Sequence, residues 1–178
     1  MNDVIRKAVP ANIGLLGGTA AALLAVQLGL NQPLQTPIAP QGMLSFQLAT
    51  TGESAAAILQ SWTRPGLWYA YASLWSGFLF AAVYTLFLLM LTRHLLRDRP
   101  GIRERKTGRW VRALFVTAGL AHIVENIILL GNLEAPSDRL SLSATLLALV
   151  SYTTLLLGIA GLIVIRAARR HPMHHSEA

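Results

Sequence analysis

Four apolar stretches, running approximately from Ala11 to Leu30, Leu67 to Thr92, Val111 to Gly131 and Leu142 to Ile165, constrain this chain more than any other feature. Each reaches the roughly 17 to 25 residues that a helix needs to cross the hydrocarbon of a bilayer. Inside hydrocarbon no water satisfies the backbone, so such spans must be helical. Composition agrees: of 178 residues, 53% are hydrophobic and only 13% charged, outside the usual range for a soluble domain. No polar stretch exceeds about 35 residues, which leaves no room for a second, soluble domain. The expectation is an all-α fold, one integral membrane domain over residues 1–178, built as a four-helix transmembrane bundle.

The first stretch follows Arg6 and Lys7, as a signal peptide would. Its apolar core is longer than the about 7 to 15 residues of a signal sequence, and the small-residue exit at Ile38-Ala39 runs into Pro40, so it reads as a retained span. Lysine and arginine then sort by connection. Arg6 and Lys7 precede the first span; Arg93, Arg97, Arg99, Arg103, Arg105, Lys106, Arg109 and Arg112 lie in or beside the connection 93–110; Arg166, Arg169 and Arg170 close the fourth span. Those are thirteen of fifteen, with only Arg64 and Arg139 elsewhere. The positive-inside rule therefore expects both termini and the basic connection in the cytoplasm, in a bacterial cytoplasmic (inner) membrane. The net charge of +7 reads as topology and headgroup attraction, and not as nucleic-acid binding, because no aromatic residue is interleaved before Trp110.

The opposite side differs in kind. NQPLQTPIAP, from Asn31, carries three prolines and excludes a regular helix. In the following MLSFQLATTGESAAAILQSW, Phe46, Ala49, Ile58, Leu59 and Trp62 recur at roughly helical spacing, interrupted at Thr51-Gly52. One or two short amphipathic helices are expected over about 43–62, forming an outer cap, with Trp62, Trp68, Tyr69 and Tyr71 as an interfacial aromatic belt. Gly14, Gly18 and Ala22, and separately Ala144 and Ala148, recur every four residues and predict close helix seams, within the monomer or in a homodimer.

Polar residues interrupt the spans at one level. His122, Glu125 and Asn126 fall at i, i+3 and i+4 in the third, on one face. A carboxylate in hydrocarbon costs a few kcal/mol at least, so that face should turn inward. From the 1.5 Å helical rise, Glu125 lies about 10 Å and His122 about 15 Å from the outer end near Asn132. The same counting brings Ser73 and Ser76 level with Glu125, and Tyr152 level with His122, with Gln27 nearer the surface. Such a layer either pins helix register or lines a ligand cavity under the cap; two ionisable groups within one turn exceed what register needs.

Other chemistry finds little support. There is no cysteine, and no Walker loop, nucleophile elbow, HExxH or dinucleotide fingerprint. Haem ligation by His122 would need a second deep histidine. The tail histidines His171, His174 and His175 have only Glu177 nearby as a carboxylate and do not make a metal site. No cofactor and no metal is expected.

Four segments, LQTPIAPQGMLSFQLA at 34–49, ILQSW at 58–62, ASLWSGFLFAAVYT at 72–85 and HIVENIILL at 122–130, resemble a group of small, uncharacterised bacterial four-span membrane proteins. The resemblance covers about residues 28–165 and implies four spans with an outer amphipathic cap. Where the group has acids, this chain has Gln47, Gly77 and His122, while Glu125-Asn126 matches. A distant topological analogy holds to the sterol-isomerase and sigma-2-receptor bundles, which enclose acidic residues in a ligand cavity. The sequence is accordingly read as a binding protein rather than an enzyme: a membrane lipid or hydrophobic small molecule held by His122, Glu125, Asn126, Tyr152, Ser73 and Ser76. The alternatives are an accessory subunit of a larger membrane complex, and an enzyme transferring protons on an isoprenoid or sterol-like substrate.

Overall fold

The computed structural model describes residues 10–97 and 102–170. Arg6, Lys7, Arg99 and the tail histidines lie outside the described residues, as does the placement of both termini. Among the described residues all regular structure is helical: α1 (Ala11–Asn31), a 3-10 turn (Gln32–Leu34), α2 (Met43–Gln47), α3 (Gly52–Ser61), α4 (Arg64–Leu96), α5 (Ile102–Glu134) and α6 (Asp138–Arg170). Four of these, α1, α4, α5 and α6, are long and apolar enough to cross a membrane, as in a multi-pass membrane protein.

The long helices outrun the apolar stretches that announce them. Each of α4, α5 and α6 has 33 residues, about 50 Å at the helical rise, against a hydrocarbon core of about 30 Å. Most of the stretch 93–110, expected as a connecting loop, is therefore helix, completing α4 and opening α5. The reason is propensity: arginine, lysine and glutamate extend a helix into the headgroup layer as readily as leucine does in lipid.

Packing runs in a row. The α5–α6 contact is the most extensive, α4 packs on the other side of α5, and α1 joins through α4. Small residues set the distances. Ala144 and Ala148 are fully buried, and a Cβ on Gly158 or Gly161 would run into Phe115 or Val111 of α5. The seam expected on α1 behaves differently: Gly14 and Gly18 have nothing within 4 Å of a built Cβ, and Gly17 instead meets Phe87. That face of α1 stays unpartnered among the described residues.

Residues 32–63 fold against one end of the bundle, where α4 and α6 begin and α5 ends. The break at Thr51-Gly52 separates α2 from α3, because Thr51 caps α3: its hydroxyl accepts from Ser54 N at 3.2 Å, with Glu53 in the first turn. Asp138, opening α6, accepts from Gly52 N at 2.7 Å. Asn31, closing α1, holds the other end of the segment, accepting from Met43 N at 2.7 Å and donating to Gln41 O at 3.2 Å. The one positive φ among the described residues, Gly42 at 61°, lies between these bonds, and a Cβ there would collide with Asn31. Phe46, Ala55, Ile58 and Trp62 then form a core with Leu74 and Leu129.

Trp62 corrects the aromatic-belt reading. Only 4% exposed, it stacks at 5.5 Å on Phe46 and donates its indole N–H to Leu34 O at 2.8 Å. Burial of its large apolar area outweighs an interfacial position, and the carbonyl satisfies its one donor. Trp68, 76% exposed, and Tyr69 remain on the surface.

Candidate functional site

A cavity of about 470 Å³ lies between α1, α4, α5 and α6 beneath the segment 35–47. Leu24, Leu28, Leu44 and Phe80 supply apolar wall, and among the polar side chains on it Gln27, Gln47, Ser73, Asn126 and Tyr152 are hydrogen-bonded within the bundle, with His122 beside them and Asn31, Gln35 and Gln41 toward the segment 35–47.

Each polar group is held by a bond that the helix geometry makes available. Gln27 and Ser73 interlock: the serine hydroxyl donates to Gln27 Oε1 at 2.8 Å, and Gln27 Nε2 donates to Ser73 O at 3.1 Å. This pair joins α1 to α4 within their apolar stretches, where an unpaired amide would cost several kcal/mol. Asn126, 1% exposed, donates to Leu74 O at 3.4 Å, reaching α4 because Gly77 leaves space: a Cβ there would sit 2.6 Å from Asn126 Nδ2 and 3.3 Å from Gln27 Nε2. Tyr152 donates its hydroxyl to Gln47 Oε1 at 2.9 Å. Thr145, two turns earlier on α6, donates to Gln47 O and Ala49 O at 3.1 and 3.3 Å. The end of α2 is thereby tied to α6 at two heights.

His122 turns toward α4 and packs among aromatic rings, 5.9 Å from Tyr84 and 6.2 Å from Phe80, the latter edge-on. Glu125 takes another direction. It is 1% exposed and does not line the cavity. Its Oε1 has no hydrogen-bond partner, and neither have Tyr84 Oη and Thr85 Oγ1. Tyr84 and Tyr152 both lie within electrostatic reach of the carboxyl. Three buried polar atoms without partners in one layer are unusual, since such atoms are nearly always satisfied. None of the three lines the cavity.

Of the six residues expected at the site, Ser73, His122, Asn126 and Tyr152 meet around the cavity. Glu125 lies behind it. Ser76 lies outside the lining, its hydroxyl folded back onto Ala72 O at 2.8 Å and Ser73 O at 3.2 Å of its own helix. Depth counting gives a level along the axis and does not fix an azimuth. Gln47 and Tyr84 were not expected as members. Tyr84, at i+11 from Ser73, shares a face with it by helical periodicity, which was a readable signal; Gln47 depends on how the 32–63 segment folds back and had none.

Chemically the arrangement offers amide, hydroxyl and imidazole hydrogen bonds inside an apolar envelope. Glu125 Oε1 has no hydrogen-bond partner among the described residues, and His122 packs against rings. Comparison with known proteins finds no matching family model, no matching curated protein and no matching solved structure.

Proposed function

We propose that this chain is a membrane-embedded binding protein that takes a lipid-like or amphipathic small molecule into the cavity beneath residues 35–47. The observation that carries this reading is the cavity itself: about 470 Å³, within the 300 to 1,000 Å³ or so of small-molecule sites, apolar in its walls and with a few convergent polar groups. Gln47, Tyr152, Asn126 and His122 would meet the ligand's hydroxyl, amine or carbonyl, and the leucines its hydrocarbon. The charge distribution supports placing this end on the outer side of a bacterial cytoplasmic membrane, with 32–63 as a cap at the headgroup level.

The test is mass spectrometry of molecules retained by the protein purified in mild detergent, comparing wild type with Leu28→Trp, which fills the cavity, and Gln47→Leu, which removes a polar contact. Loss of a retained species from both variants is expected. Identical bound species in all three proteins would refute the assignment.

A second reading has its own observation. The open space over Gly14 and Gly18 leaves on α1 a small-residue face of the kind that lets helices approach closely in lipid. It suits association with another membrane helix, as an accessory subunit of a larger complex or as a homodimer. Crosslinking and pull-down from native membranes distinguish these from a lone monomer.

A further inference from the structure

At the end of the bundle remote from that cavity, a cleft of about 950 Å³ opens between the start of α1, the end of α4 and the start of α5. Arg93 of α4 and Arg97, which caps its end, face Arg105, Arg109 and Arg112 of α5 across it, with His94 alongside. The spacings are i, i+4 on one helix and i, i+4, i+7 on the other, so both rows follow from helical periodicity. Leu96 packs where Gly108 has no side chain, which holds the two helix ends together. No acidic side chain lines the cleft among the described residues, and the five guanidinium groups make one hydrogen bond there, Arg112 Nε to Gly108 O at 3.2 Å. That bond turns Arg112 back along α5 toward the other arginines.

Beneath the arginines runs an apolar groove. A second hollow, lined by Leu89, Met90, Ala113 and Val116, shares Arg93, Arg109 and Arg112 with the cleft and descends between α4 and α5. From Arg105 to Arg112 the rise is about 10 Å, comparable to a leaflet's headgroup layer, and Val116 lies one turn further into the hydrocarbon.

We propose that this cleft is a binding site for an anionic phospholipid, with its phosphate between the facing arginines and one acyl chain in the groove below. Guanidinium groups clustered with no carboxylate among the described lining residues repel one another, and a phosphate relieves that repulsion while matching their planar, bidentate donors. The groove favours a lipid over free phosphate, which has no use for an apolar channel. A general attraction of basic loops to anionic membranes would not require arginine in particular, yet among the described residues the five Lys/Arg side chains that line the cleft are all arginine, and Lys106 is not in its lining.

Native mass spectrometry of the full chain, released from detergent with added phosphatidylglycerol or phosphatidylcholine, tests this directly. Wild type should retain phosphatidylglycerol preferentially, and Arg109→Gln/Arg112→Gln should weaken that retention about tenfold or more. Arg64→Gln/Arg139→Gln, an equal charge loss outside the cleft, should leave it unchanged, and Val116→Trp should reduce it without altering charge. If the arginine pair impairs folding, judged by circular dichroism, Arg93→Gln alone supplies the same comparison. Equal loss from the Arg64/Arg139 variant, or no loss from the cleft variants, overturns the site. Displacement of phosphatidylglycerol by inorganic phosphate, together with an unaffected Val116→Trp, overturns the lipid assignment.

Discussion

Tyr152 of α6 donates its hydroxyl to Gln47 Oε1 at 2.9 Å, so a residue in the middle of the last span holds the end of α2, 105 positions earlier in the chain. This bond closes the cavity at the point where α2 ends. Tyr152→Phe keeps the ring and removes only the hydroxyl. A net loss of about 1 kcal/mol is expected, read as a modest fall in melting temperature in detergent. Hydrogen exchange should show faster opening of residues 43–49 while α5 and α6 keep their protection; uniform exchange across the chain would contradict the tie.

Gly77 is the position at which α4 admits Asn126 and Gln27. Gly77→Ala places a methyl 2.6 Å from Asn126 Nδ2, and an overpacking penalty of about 1 to 3 kcal/mol is expected. Gly14→Ala, where nothing lies within 4 Å, should leave the monomer's melting temperature equal or higher, since alanine favours the helix. The two substitutions are chemically identical, so the contrast in circular-dichroism melts isolates packing.

The same open face on α1 makes a prediction about association. Gly18→Leu should leave the fold intact and weaken any self-association or partner contact made through α1, measured by crosslinking in membranes. A crosslinking pattern unchanged from wild type would place the contact elsewhere.

Trp62 anchors the 32–63 segment through Leu34 O and Phe46. Trp62→Phe should cost about 1 to 3 kcal/mol by stranding a buried carbonyl, and Trp62→Ala about 3 to 5 kcal/mol by adding a cavity. An interfacial tryptophan would cost far less in either variant, so urea titration of the two proteins decides between core and belt.

Glu125 lies buried with an unpartnered oxygen next to Tyr84 and Tyr152. Glu125→Gln preserves shape and adds donors that can reach neighbouring hydroxyl oxygens, so stability should be equal or higher. Glu125→Leu, by leaving the surrounding hydroxyls facing hydrocarbon, should be less stable than Glu125→Gln. Reversal of that order in thermal melts would show that the surrounding hydroxyls gain nothing from a hydrogen-bonding side chain at this position.

How much was legible follows from which forces act locally. The four spans could be read directly, because hydrocarbon forces each apolar stretch to satisfy its own backbone, and that requirement involves no neighbour. The inward turn of His122, Glu125 and Asn126 could be read too, since helical spacing and desolvation fix a shared face. Where the membrane helices end could not, because arginine and lysine prolong α4 and α5 past the apolar limit. Nor could the azimuth of single residues. Ser76 turns back on its own helix and Glu125 passes behind the cavity wall, choices settled by which helix lies alongside. The seam at Gly14 and Gly18 shows the same limit: its spacing permits a close approach, but only the arrangement of α1 against α4 selects Gly17 for the contact and leaves the others open. Trp62 and Gln47 owe their roles to the return of residues 32–63 over the bundle end, a set of contacts between residues far apart in sequence. The chain by itself determined that it is helical, and where it can meet lipid; the tertiary structure decided which polar groups meet one another, because that depends on the rotation and neighbours of each helix.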